Sequence, residues 1–193
     1  MDELKARIRA EGEYLGDGIL KVDAILNHQI DPGLMQRIGQ EFARRFSGVQ
    51  VDRILTAEVS GIGPALMTGL AMNVPIVYAR KSKPLTMSGP VYLEVAPSPT
   101  KGGEVLLLVS AEFLHKGEHV LVLDDFLASG KTIQKLVQMV HSAHCELAGI
   151  GAVIEKSFTS GRAVLEQLGV PVEALVSICE MDEGGEICFT DEQ

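Results

Sequence analysis

Residues 120–132 read VLVLDDFLASGKT. Four aliphatic residues run straight into a pair of aspartates, and a tail of small residues closes on Gly130-Lys131-Thr132. An unbroken apolar run of this kind is a strand buried on both faces, as in a parallel sheet covered by helices. KTIQKLVQMVHSA follows at 131–143, with Ile133, Leu136, Val137 and Val140 on one helical face. Strand, turn and helix in that order put the turn at the carboxyl edge of the sheet, where open α/β sheets bind their ligands. Main-chain amides of the turn and the positive end of the helix dipole then face the crevice, and their natural ligand is a phosphate.

The same rhythm spreads in both directions. RILTAE at 53–58 reads as a strand, IGPALMTGLAM as a helix and VPIVYA at 74–79 as a strand. Beyond the phosphate turn come the apolar strand LAGIGAVIE, the helix SGRAVLEQLG and the strand VEALVSI. Upstream, residues 2–12 suit a surface helix. A second helix starts in IDPGLMQRIGQEFARRFSG, with Asp31 as N-cap, Pro32 in the first turn, a stripe of Leu34, Ile38, Phe42 and Phe46, and Gly48 as the stop. ILKVDAILNHQIDP at 19–32 reads as a strand and a turn. Residues 82–118 depart from the pattern: Pro84, Pro90, Pro97 and Pro99 punctuate VYLEVA and EVLLLVS, which suits a projecting β-hairpin. The expected fold is α/β, one domain over 1–193 with a central, mainly parallel sheet flanked by helices.

Composition narrows the function classes. The 193 residues are 46% hydrophobic and 22% charged, with 5% aromatics and no Trp, as in a globular domain with an aliphatic core. No apolar run nears the length of a membrane helix, and the charged N-terminal stretch is unlike a signal peptide. Net charge is −9, the wrong sign for a general nucleic-acid binder. Cys145, Cys179 and Cys188 are odd in number and widely spaced, which suits reduced thiols in a cytoplasmic protein.

The terminal Gly-Lys-Thr invites comparison with a Walker A loop, which requires a glycine five residues before Gly130. That position is Asp125, and a carboxylate there would repel a wrapped triphosphate. Four aliphatics, two acids, one aromatic and a short A-S-G-x-T nest instead resemble the signature of type I phosphoribosyltransferases, which use 5-phosphoribosyl 1-diphosphate (PRPP). The resemblance implies that Asp124 and Asp125 accept hydrogen bonds from the ribose hydroxyls, and that Ala128, Ser129, Gly130, Lys131 and Thr132 cradle the 5′-phosphate. Polar, uncharged residues are usual in the family where Lys131 stands.

Three further segments fit that frame. AEVSGIGPA at 57–65 ends the first sheet strand, and the resemblance assigns Ser60 and Gly61 to the diphosphate. ARKSKP at 79–84 gathers Arg80, Lys81 and Lys83 on an otherwise acidic chain, where they would neutralise a leaving diphosphate. IEKSF at 154–158 ends the strand after the phosphate turn, so Lys156 should reach the same crevice. KVDAILNHQIDPGLMQRIG, SGIGPALMTGL, VPIVYARKSKPLT, VLVLDDFLASG and GIGAVIEKSF are similar to the bacterial branch of the family that acts on xanthine. The resemblance covers nearly the whole chain, least well in the hairpin and the last dozen residues. It implies base contacts at Leu20, Asn27 and Lys156, a small hood to which residues 1–50 contribute, and transfer of the phosphoribosyl group from PRPP to xanthine. Mg²⁺ with the diphosphate and a homodimer are implied as well. Hypoxanthine or guanine is the alternative base, and a PRPP-sensing transcription regulator is the alternative of another class. His28 is the weak candidate for a general base.

Overall fold

The computed structural model describes residues 1–97, 103–182 and 184–192. In chain order the N-terminal part comprises α1 (Asp2–Glu11), β1 (Glu13–Tyr14), β2 (Leu20–Lys21) and α2 (Pro32–Arg45). β3 (Arg53–Ala57), α3 (Ile62–Met72) and β4 (Ile76–Ala79) follow, then the hairpin strands β5 (Val91–Pro97) and β6 (Glu104–Ser110). The second half holds β7 (His119–Leu127), α4 (Lys131–Ser142), β8 (Glu146–Lys156), α5 (Gly161–Leu165), β9 (Val172–Met181) and β10 (Ile187–Phe189).

Six strands form the central sheet in the order β10-β9-β8-β7-β3-β4. All neighbours run parallel except β10, which closes one edge antiparallel to β9. Side chains alternate along each strand, so each buried strand feeds two cores. Leu121 and Leu123 point to one core, packed with Leu34, Ile38 and Phe42 of α2 and with Leu4 and Ile8 of α1. Val120 and Val122 point to the other, with Leu136 and Val140 of α4. The glycines of β8 allow a close approach: a Cβ on Gly151 would lie 2.8 Å from the Phe42 ring. Phe42 and Phe46 stack there with centroids 6.5 Å apart.

Local chemistry explains the helix starts. The Asp31 carboxylate accepts from the Gly33 and Leu34 amides at 2.9 and 3.1 Å, and Pro32 opens α2. The Leu34 amide foremost, then Arg7 and the Gly33 amide, hold the Asp31 carboxyl below its usual range. α4 starts differently, from Gly130 at φ 72° with no side-chain cap.

Several sequence expectations need correction. Residues 19–32 are not a strand and a turn of ordinary kind: β2 has two residues, and a π-helical turn over Asp23–Asn27 sends Ile25 and Leu26 into the core. β7 does not stop at the aspartate pair but continues to Leu127, because Phe126 and Leu127 still pair with Ile154 and Glu155 of β8. The helix expected over 160–169 is α5 plus a 3₁₀ turn ending before Gly169 at φ 72°. The hairpin pairs in register from Val91↔Ser110 to Pro97↔Glu104. Its inner face, through Ala96, Leu107 and Val109, covers the α4 side of the sheet. Residues 98–102 of its tip lie outside the described residues. No helix is long and apolar enough to cross a membrane among the described residues.

Candidate active site

The carboxyl ends of β3, β7 and β8 converge on one crevice. β7 delivers the aspartate pair with adjacent residues in different surroundings. Asp124 is only 7% exposed, while Asp125 is less buried. The Asp125 amide donates to Asp124 Oδ1 at 3.0 Å, and the Phe126 amide donates to Asp125 Oδ1 at 3.0 Å. Burial pushes the Asp124 carboxyl well above the usual carboxylate range, and the charge of Asp125 adds to this. The positive charge of Lys81 pulls the other way, which places Lys81 within electrostatic reach of the pair.

Beyond Leu127 the backbone turns through Ala128, Ser129 and Gly130 into α4. The first-turn amides of α4 have no side-chain acceptor, and Lys131 is exposed at its first position. A helix N-terminus without a cap, reached through small residues, is built for an anion. The turn rests on the loop after β8. Thr159 Oγ1 donates to the Ala128 carbonyl at 2.7 Å. A Cβ on Gly161 would collide with that carbonyl and lie 2.9 Å from the Gly130 nitrogen.

From β3 comes the Glu58–Gly61 turn, which includes a cis peptide between Glu58 and Val59. Gly61 is wedged between Thr56 and the aspartate pair: an added Cβ would strike Thr56 Oγ1 and come 3.3 Å from Asp124 Oδ1. Ser60 precedes this wedge and is partly exposed. Glu58 accepts a hydrogen bond from the Lys81 amide at 2.6 Å, tying this turn to the loop after β4.

Lys156 ends β8. Its ammonium donates to the Gly18 carbonyl at 2.6 Å and sits 5.0 Å from the centroid of the Phe126 ring. Burial pulls its pKa below the usual lysine range, with the negative charge of Asp125 opposing that shift. Behind it, Glu155 is 2% exposed and bonded to Arg162 at 2.6 and 2.7 Å and to Ser177 at 2.9 Å. This buried network fixes the strand end from which Lys156 projects.

The structure therefore assembles Asp124, Asp125, Gly61, Lys81, the 128–132 turn and Lys156 around one crevice. Three sequence candidates lie elsewhere or differently. Leu20 is buried in the α2-side core, two residues from the Gly18 that Lys156 holds. Asn27 is exposed at the end of the Asp23–Asn27 turn, followed by an exposed His28. Arg80 points away from the aspartate pair. Its main chain bridges to Leu108 of β6, and its guanidinium lies 5.8 Å from the Tyr78 ring centroid. There it lines a cavity of about 530 Å³ between β4 and the base of the hairpin. Sequence reasoning missed Thr159, Gly161 and Thr56, which touch the crevice only from behind.

A phosphoribosyl transferase domain model matches residues 37–166. The chain is 50% identical over 185 residues to the xanthine phosphoribosyltransferase of Deinococcus deserti, covering 96% of both chains. It is 47% identical over 191 residues to the xanthine phosphoribosyltransferase of Pseudomonas paraeruginosa, covering 99% of this chain and all of the relative. Among solved structures, adenine phosphoribosyltransferase from Thermoanaerobacter pseudethanolicus superposes with a TM-score of 0.74 at 22% identity, over 90% of this chain and 99% of that one. That likeness carries the fold alone. With the signature turn, the sheet order and near-full-length relatives in agreement, the chain belongs to the phosphoribosyltransferase family.

Proposed function

We propose that the chain transfers the 5-phosphoribosyl group from PRPP to xanthine, giving xanthosine 5′-monophosphate and diphosphate. One observation carries the reading from the geometry: the carboxylate pair stands between an uncapped helix N-terminus and a partly buried lysine. Those three features match the phosphate, ribose and base of one ligand in that order. The relatives quoted above supply the name of the base.

In this reading the 128–132 turn holds the 5′-phosphate, and Asp124 and Asp125 accept hydrogen bonds from the ribose 2′ and 3′ hydroxyls. Gly61, Ser60 and Lys81 face the diphosphate. A ring nitrogen of xanthine bonds to C1 of the ribose as the bond from C1 to the diphosphate oxygen breaks, and the nitrogen gives up its proton. Positive charge develops on the sugar, so the two aspartates stabilise it electrostatically. Lys156 donates to a carbonyl oxygen of the base and favours its anion, which lessens the need for a separate general base. Asp124 and Asp125 also fit Mg²⁺, a hard cation that takes one or two carboxylates and fills its shell with ligand oxygens and water. Among the described residues no cluster of three or more His, Cys, Asp or Glu side chains would hold a metal unaided. When bound, the ion would neutralise the departing diphosphate.

The test is steady-state turnover with PRPP and Mg²⁺, offering xanthine, hypoxanthine, guanine and adenine in parallel, for the wild type and Lys156→Ala. The reading expects the highest kcat/KM for xanthine, and a loss of roughly 10- to 100-fold in Lys156→Ala, the scale of one charged hydrogen bond. Preference for hypoxanthine or guanine would keep the PRPP site and sink the base. PRPP binding without turnover on any base would favour the regulator.

The acting unit in this reading is a homodimer joined through the outer face of α3. That helix carries no charged residue, and Leu66 and Leu70, one turn apart, are 51% and 71% exposed. Apolar exposure on one uncharged helix face suits a second copy of the same chain. Light scattering should give twice the 20.8 kDa chain mass at micromolar concentration; a single-chain mass would refute the dimer.

A further inference from the structure

Both ends of the crevice are hung on one short stretch of chain. Lys156, at the base end, and Thr159 and Gly161, behind the phosphate turn, lie within six positions of each other. Thr159 stands between two carbonyls: its Oγ1 is 2.7 Å from the Ala128 oxygen and 2.6 Å from the Lys156 oxygen. A hydroxyl carries one hydrogen and serves one acceptor at a time. The Lys156 carbonyl already receives the Thr159 amide at 3.1 Å. Donation to the Ala128 carbonyl leaves each of the two carbonyls with a donor.

That bond has a consequence on the other side of the peptide. Ala128 C=O and Ser129 N–H belong to one planar, trans unit and point in opposite directions. Holding the carbonyl towards the loop after β8 aims the Ser129 amide away from that loop, to the opposite side of the turn. Gly161 lies against the same carbonyl with no room for a Cβ, which blocks the alternative orientation of the turn from behind.

We propose that Thr159 is a positioning residue that presets the Ser129 amide for the 5′-phosphate, acting through the Ala128 peptide without touching substrate. This rests on the phosphoribosyl transfer reading of the crevice. A bond whose partners are already aligned in the free protein means that the turn does not reorganise when phosphate arrives. The same threonine ties the phosphate end to the strand end that carries Lys156.

The experiment compares wild type, Thr159→Val and Thr159→Ser in steady-state kinetics with PRPP and xanthine, alongside calorimetric titration of PRPP and thermal melts. Valine keeps the volume and removes the donor, whereas serine keeps the donor. The expected result is a KM and Kd for PRPP raised roughly tenfold in the valine variant, on the scale of one hydrogen bond. Its kcat should change less than its KM, and Thr159→Ser should return close to wild type. Unchanged PRPP constants in Thr159→Val overturn the inference. So does a serine variant as poor as valine, or a valine variant whose PRPP affinity, kcat and melting temperature all fall together. Absence of turnover in the wild type would instead overturn the functional reading itself.

Discussion

The two ends of the crevice are built by different means. At the phosphate end, backbone does the work: a turn of Ala128, Ser129 and Gly130, an uncapped helix, and a glycine packed behind it. At the base end, a single long side chain reaches across to the carbonyl of Gly18, a partner 138 positions away. A backbone site is specified by shape and by small residues, so one contiguous motif suffices for it. A side-chain site depends on which distant segments the fold brings alongside. In the proposed reading the first end takes a phosphate common to many ligands, and the second has the contacts to tell one base from another.

The contrast can be broken most forcefully at Gly161. Replacing it with Ala would push a methyl group into the Ala128 carbonyl, which must move with the whole turn. Displacing a substrate-positioning element by about 1 Å costs on the order of 100-fold in rate, so kcat/KM for PRPP should fall by about that factor. Circular dichroism should still show a folded protein; PRPP kinetics near wild type would mean that the turn is not braced from behind. Next in size is the Lys156→Ala base panel, which sharpens the contrast if PRPP binding is untouched while the order of bases flattens. The smallest effect is thermal and concerns the aspartate pair between the two ends. Asp124 has a folded-state pKa raised above its ordinary 3.8 by burial. The folded protein then binds more protons than the unfolded chain, and stability falls as pH rises from about 3.8 through the raised value. Asp124→Asn removes that penalty, keeps an oxygen for the Asp125 amide, and should melt roughly 2–4 °C higher at neutral pH, the shift expected per ~1 kcal/mol in a chain of this size. A lower melting temperature would show that the carboxylate stabilises the free protein.

The parallel sheet and the turn between β7 and α4 were legible because their signals are local: apolar runs such as Val120–Leu123, and a strand–turn–helix succession. Asp31 and Pro32 marked the start of α2 by the same short-range chemistry. Arg80 and Lys81 were read with Lys83 as one cluster, yet adjacent residues in an extended chain face opposite ways. The bridge between Arg80 and Leu108 sends the arginine to the hairpin side, and that bridge joins segments no local pattern connects. The π-helical turn at Asp23–Asn27 escaped notice because Ile25 and Leu26 continue the apolar residues Ile19, Leu20, Val22 and Ala24, which read as a strand. Strand β10 is three residues long and finds its place only against β9. Thr159 is one small residue in a loop, and its importance lies in a carbonyl 31 positions upstream.

The bond between Lys5 and Asp191, 2.5 Å long and spanning 186 positions, fastens α1 beside the 3₁₀ turn that follows β10. Arg9 adds a contact over the Phe189 ring, 4.8 Å from its centroid. Closing so wide a loop is among the costliest steps in a chain's search for its fold, whereas the phosphate turn draws only on neighbouring strands and helices. The clasp therefore holds the two ends of the chain together over the core that α1 shares with α2.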